Sequence, residues 1–209
     1  MGLVASDDRI LVLGIGNILW ADEGFGVRVV EALAEGHDLP ARVTLLDGGT
    51  QGLYLLPYLE DADAVVVVDA IDYGFAPGTL HVIRGEAVPA VLAARKLSLH
   101  QTGFQELLAL MALRGRPPTR LVLVGVQPAR LDDYGGGLTE AVAAQVAPAV
   151  ATVIALLAEE HGVVARPRLA PAAPLVDPAV GRAAYEAGRP SAEAACRIGD
   201  DRVLARRQG

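Results

Sequence analysis

The stretch from Ile10 to Glu31, ILVLGIGNILWADEGFGVRVVE, leaves few folds open. It begins with an unbroken apolar run, Ile10 to Leu13, followed by Gly14 and Ile15, as a strand buried on both faces reads. Gly16 and Asn17 make a turn, and apolar residues then recur at Val27, Val30 and Leu33, the spacing of a helix face. Between the two elements stand adjacent carboxylates, Asp22 and Glu23, then Gly24 and Gly26. A strand, a tight turn and a helix in this order open an α/β domain, in which chemistry collects just beyond the carboxyl ends of the strands.

The rest of the chain extends this pattern. Ala41 to Leu46 reads as a second strand ending in Asp47-Gly48-Gly49-Thr50, and Ala64 to Val68 as a third, fully buried one ending at Asp69. Thr79 to Arg84 alternates like a half-exposed strand. The connection before it has no room for a crossover helix, which sets this fourth strand antiparallel to its predecessor. Ala87 to Ser98 is partly helical, Phe104 to Leu113 is a helix, and Arg120 to Gln127 is a further buried strand. Leu138 to Glu160 is the longest helix, with Thr139 as N-cap and Pro148 to kink or divide it. The sum is a three-layer α/β/α domain over residues 9–162. Residues 163–209, rich in Ala, Pro and Arg, read as a poorly structured extension, at most briefly helical around Arg182 to Ala187.

Charge and composition remove several classes. Residues 1–162 hold 10 Lys and Arg against 20 Asp and Glu, so the body is acidic and a general nucleic-acid binder is disfavoured. The extension, with 8 against 5, is basic. One cysteine, Cys196, excludes a disulfide framework within the chain. No apolar run is read as long enough to span a bilayer and no secretory signal opens the chain, which sets the expectation of a cytoplasmic protein without membrane insertion.

The glycines do not complete a dinucleotide fingerprint. Gly14 and Gly16 are present, but Leu19 stands at the third position, and Asp22 and Glu23 follow where a pyrophosphate would need positive potential. Acids do recur at strand ends: Asp22, Glu23, Asp47 and Asp69. Any one of them alone reads as a helix cap. If the central strand order is 2-1-3, however, the ends of strands one and three adjoin, and Glu23 and Asp69 face one cleft. His100, in SLHQTG at the start of a helix, completes an oxygen, oxygen, nitrogen set suited to a borderline divalent ion. Spacing does not choose between zinc, nickel and manganese.

Taken together, ILVLGIGNILWADEGFGVRVVEAL, LLDGGTQGLYLL, VVVVDAIDYGFAPGTL, SLHQTGFQELLALMAL, and LVLVGVQP followed by GGGLTEAV resemble the hydrogenase maturation proteases. The resemblance runs in order over residues 9–162, and no counterpart is assigned to the tail. It implies a mixed five-stranded sheet with the fourth strand antiparallel. It also implies an endopeptidase of aspartyl type that removes the C-terminal extension of a [NiFe]-hydrogenase large-subunit precursor after nickel insertion. Glu23, Asp69 and His100 match the positions of the family's metal ligands, for a nickel ion supplied by the precursor, and Asp47 matches an aspartate considered a participant in cleavage. The alternative is a nickel-binding maturation or chaperone module without proteolytic activity.

Overall fold

The structure, a computed structural model, describes residues 8–94, 99–115, 118, 120–170, 172, 175 and 181–188, without the side chains of 91–94 and 99–103. Five strands form the sheet: β1 (Ile10–Ile15), β2 (Val43–Gly49), β3 (Ala64–Ala70), β4 (Leu80–Arg84) and β5 (Arg120–Val126). The helices are α1 (Phe25–Gly36), α2 (Leu56–Asp61), α3 (Ala87–Ala94), α4 (Leu99–Leu113), α5 (Glu140–Ala143), α6 (Val146–His161) and α7 (Arg182–Ala187).

The sheet order is β2-β1-β3-β5-β4, so the 2-1-3 centre on which a shared cleft for Glu23 and Asp69 depends is present. β1 pairs in parallel with β2 and β3, and β3 with β5; β4 runs antiparallel to β5 at the edge. The fourth strand therefore has the expected direction, but β5 separates it from its predecessor in sequence. Side chains alternate across the strands and feed two cores. Val12, Val66, Val68, Val122 and Val124 pack with α1 and α6 on one face. Leu11, Leu13, Val65, Val67 and Leu123 pack with Leu59 of α2 and with Phe104, Leu107 and Met111 of α4 on the other. Every residue of β1 and β3 is buried, which is why those two strands read as continuous apolar runs.

Two glycines bring the start of α1 down onto the ends of β1 and β3. A Cβ on Gly26 would stand 2.1 Å from the Val68 carbonyl oxygen and 2.3 Å from that of Ile15. A Cβ on Gly16, at φ +139°, would stand 1.8 Å from the Glu23 carbonyl oxygen. These glycines serve close backbone approach, not a phosphate.

The long C-terminal helix is divided, but not at its proline. It breaks at Ala144 and Gln145, and Pro148 lies in the first turn of α6. Pro148 has no N–H for the Ala144 carbonyl and its ring crowds that carbonyl, so the break falls four residues upstream. Contrary to the sequence reading, the stretch Glu140–His161 is long and apolar enough to cross a bilayer by length and composition, with a mean hydropathy of 2.1. Its apolar residues Val142, Val146, Val150, Val153 and Leu157 are core residues here.

The chain beyond residue 162 makes defined contacts. Val163 is buried. Arg166–Pro167 pairs antiparallel with His37–Asp38, and Arg168 bridges to Asp38 at 2.9 Å. The helix α7 places the Tyr185 ring 5.6 Å from the Arg28 guanidinium of α1. Arg28 itself is buried and paired at 2.9 Å with the buried Glu31, whose carboxyl is held above its usual range by burial.

Candidate functional site

The switch point of this sheet is the crevice between β1 and β3, where successive connections leave on opposite faces. The turn Ala21–Gly24 closes one side of it, packed against the end of β3. That turn holds the two adjacent carboxylates, and their environments differ. Asp22 is 0% exposed. Its Oδ2 accepts from Ala129 N and Arg130 N, both at 2.8 Å, and from the Thr139 hydroxyl at 3.0 Å, and its Oδ1 accepts from Thr139 N at 2.7 Å. Asp22 is thus the clamp that fastens the connection between β5 and α5 to the turn. Gly135 N to Leu19 O, Ala21 N to Gly136 O and Asp22 N to Arg130 O reinforce it, as does the edge-to-face pair of Trp20 and Tyr134. Thr139 remains the residue before α5, but its hydroxyl is given to Asp22 instead of capping the helix. Glu23, by contrast, is half-buried, and its backbone is seated on Gly16.

Asp69 lies on the other side of the crevice, on β3, and is 1% exposed. Its Oδ1 accepts from Ala70 N at 2.7 Å. By strand alternation it shares a face with Val65 and Val67, the face that α4 covers. Because α4 runs into β5 through a short connection, its first turn lies at the carboxyl rim of the sheet, and that turn contains His100. The backbone therefore puts Asp69 and His100 on one face and at one end of the sheet. The His100 side chain is outside the described residues. Among the described residues, no three His, Cys, Asp or Glu side chains form a metal-holding group.

Asp47 belongs to β2 itself, opposite Gly14 of β1, so the strand continues past the Leu46 end expected from sequence. Its Oδ1 accepts from Gly49 N at 2.9 Å. It lines a cleft of about 240 Å³ with Gly16, Asn17, Leu19, Val27 and Thr50. Burial pushes its carboxyl above the usual range, partly offset by the Gly49 N–H and the Arg28 charge. A carboxylate raised toward working pH is a stronger base.

That position carries a stability cost with a defined sign. Asp47 binds its proton more tightly in the folded chain than in the unfolded one. Stability therefore falls as pH rises from the ordinary aspartate range through the raised value. Asp47→Asn keeps an acceptor for Gly49 N and removes the charge. We expect a higher Tm than the parent at pH 7 and none of that gain at a pH below the ordinary carboxylate range. Thermal melts across pH check this; a gain confined to acid would contradict it.

Sequence reasoning missed two residues of the site. Gln127 is buried; its Oε1 accepts from Tyr73 N at 2.7 Å and Phe75 N at 3.1 Å. Its Nε2 donates to Asp72 Oδ1 and to the Pro128 carbonyl. It fastens the connection that leaves β3 just after Asp69. The signal for it was a lone amide closing the apolar run of β5. The other is Tyr73, whose hydroxyl is buried and whose ionisation is pushed upward, first by that burial and then by the Asp69 charge.

The arrangement is a rim of carboxylates around a switch-point crevice, with two buried polar side chains holding its loops. The model of the hydrogenase maturation protease family matches residues 27–156. The hydrogenase expression/formation protein HupD of Rhodobacter capsulatus is 56% identical, over 94% of this chain and 93% of its own. The hydrogenase 2 maturation protease of Escherichia coli is 47% identical, over 77% of this chain and 96% of its own. Among solved structures, the hydrogenase maturating endopeptidase HybD of E. coli matches with a TM-score of 0.72 at 46% identity, covering 77% of this chain and 98% of that one. The alignment with the R. capsulatus protein takes in most of residues 163–209.

Proposed function

The chain belongs to the hydrogenase maturation protease family and is a peptidase, and we propose that it removes the C-terminal extension of a [NiFe]-hydrogenase large-subunit precursor once nickel has been inserted. In this reading Glu23, Asp69 and His100 take hold of the nickel that the precursor carries. The observation that carries the reading is the pair of carboxylates flanking the β1–β3 crevice, with His100 in the helix turn at the same rim.

The donor set fits a borderline ion. Two carboxylates and an imidazole leave coordination positions open, so the ion's remaining ligands come from the precursor. An incomplete set has weak affinity for ion in solution. It gains when the precursor supplies the rest at high local concentration. The site thereby checks that nickel is in place before the chain is cut. Nickel polarises a carbonyl or lowers the pKa of a bound water when it is present. In this reading Asp47 takes a proton from the attacking water, which its raised carboxyl and its place in the neighbouring cleft support. Asp22 and Gln127 do not touch the ion; they keep the loops that carry Glu23 and Tyr73 from moving apart.

The test is incubation with a cognate precursor, with and without nickel, followed by intact mass. We expect a defined C-terminal loss with the nickel-loaded precursor and none with the nickel-free form. Equal cleavage of both forms would refute the checkpoint, and cleavage of neither would favour a nickel-binding module.

A further inference from the structure

The segment after β3 carries a hydroxyl with nothing to bond. Tyr73 Oη is buried and makes no hydrogen bond among the described residues. Native proteins seldom keep such a group without a use for it. Its placement is well determined. The ring stacks at 5.7 Å on Phe75 and lies 5.5 Å from His81, while the backbone N–H is held by Gln127. These contacts point the phenol oxygen at Gly125, where a Cβ would stand 2.1 Å from it.

Gly125 is paired with Asp69 on one side and with His81 on the other. Asp69, Gly125 and His81 therefore form one row across β3, β5 and β4, and residues in one row share a face. The glycine leaves that row without a side chain at its centre, and the tyrosine oxygen occupies the space. Neighbouring strands lie about 4.8 Å apart, so the Gly125 position that the oxygen fills is the next place in the row from Asp69. Asp69 Oδ1 is held by Ala70 N, and the Asp69 charge acts on the phenol.

We propose that Tyr73 is a positioning residue for Asp69: its O–H donates to the Asp69 carboxylate as that carboxylate turns onto a divalent ion presented by the substrate. The phenol uses one lone pair and Ala70 N another, which leaves the rest for the ion. Carboxylates that hold metals are commonly fixed in this way by a hydrogen bond from behind. The inference rests on the reading that Asp69 grips the precursor's nickel.

Tyr73→Phe removes the oxygen and keeps the ring between Phe75 and His81. With the full-length protein we expect about a tenfold fall in kcat/KM on nickel-loaded precursor, the lower end for loss of such a partner. The fall should come through KM. Binding of nickel(II) alone, followed by calorimetry, should weaken by a similar factor, while Tm holds or rises. A packing role would leave both functional readouts unchanged, and that result would overturn the proposal. Asp69→Asn is measured alongside. If it loses processing and Tyr73→Phe does not, the tyrosine assignment alone fails. If Asp69→Asn processes at the parent rate, the reading of Asp69 fails and this inference with it.

Discussion

Asp69→Asn should reduce processing of nickel-loaded precursor by about a hundredfold or more, the upper range for loss of a contact that fixes a metal. The amide keeps the shape of the carboxylate and an acceptor for Ala70 N, so the backbone at the end of β3 stays in place. What is lost is the negative charge at the switch point and the second strong oxygen donor. Glu23→Gln removes the same chemistry from the other side of the crevice and should fall in the same range. Processing rates measured at precursor concentrations below KM, with melting curves for both variants, check the expectation. Parent-like rates in either folded variant would remove that residue from the site.

Asp22→Ala should give the largest loss of stability of any single change at the rim. It strips the acceptor from Ala129 N, Arg130 N, Thr139 N and the Thr139 hydroxyl at once. Unsatisfied buried donors cost about 1–3 kcal/mol each before relaxation and water entry, so a net loss of about 3 kcal/mol is a conservative expectation. For a chain of this size that corresponds to a fall in Tm of roughly 6–12 °C. Asp22→Asn is not a mild substitute, because its amide nitrogen would face backbone N–H groups. Denaturant unfolding with a two-state fit measures the loss. A change below about 0.5 kcal/mol, the size of an ordinary surface substitution, would show that the clamp is not structural.

Asp69 and Asp22 differ sharply in what the sequence reveals about them. Asp69 closes an unbroken valine strand, and the position of a carboxylate at such an end is legible without coordinates. The strands were legible for the same reason: apolar runs buried on both faces, separated by helix-period segments. The opposite fates of Asp22 and Glu23 were not legible. Both are acids in one turn, and only the return of residues 129–139 onto that turn turns Asp22 into a clamp. Such long-range pairing leaves no local pattern. The row of Asp69, Gly125 and His81 was hidden for a related reason, since it depends on β5 inserting between β3 and β4.

Some local signals pointed to the right event at the wrong place. Pro148 does interrupt the last long helix of the domain, yet the break appears a turn earlier, where the carbonyl it cannot serve is found. The apolar pattern of the second strand ends at Leu46, which leaves Asp47 beyond it. In the structure the strand carries on through Gly49 beside β1. The tail was judged by composition alone, and its alanines concealed Tyr185, which meets the buried Arg28 of α1. The family resemblance rested on motifs in order over residues 9–162, and the matched family model covers much of that span.

The central claim is that Glu23, Asp69 and His100 meet around one divalent ion. Its most direct test is a crystal of this protein grown with nickel(II), with diffraction recorded on both sides of the nickel absorption edge. We expect one anomalous peak between those three side chains, lost in an Asp69→Asn crystal grown in the same way. A peak elsewhere that survives that substitution, with the three side chains turned away from each other, would contradict it.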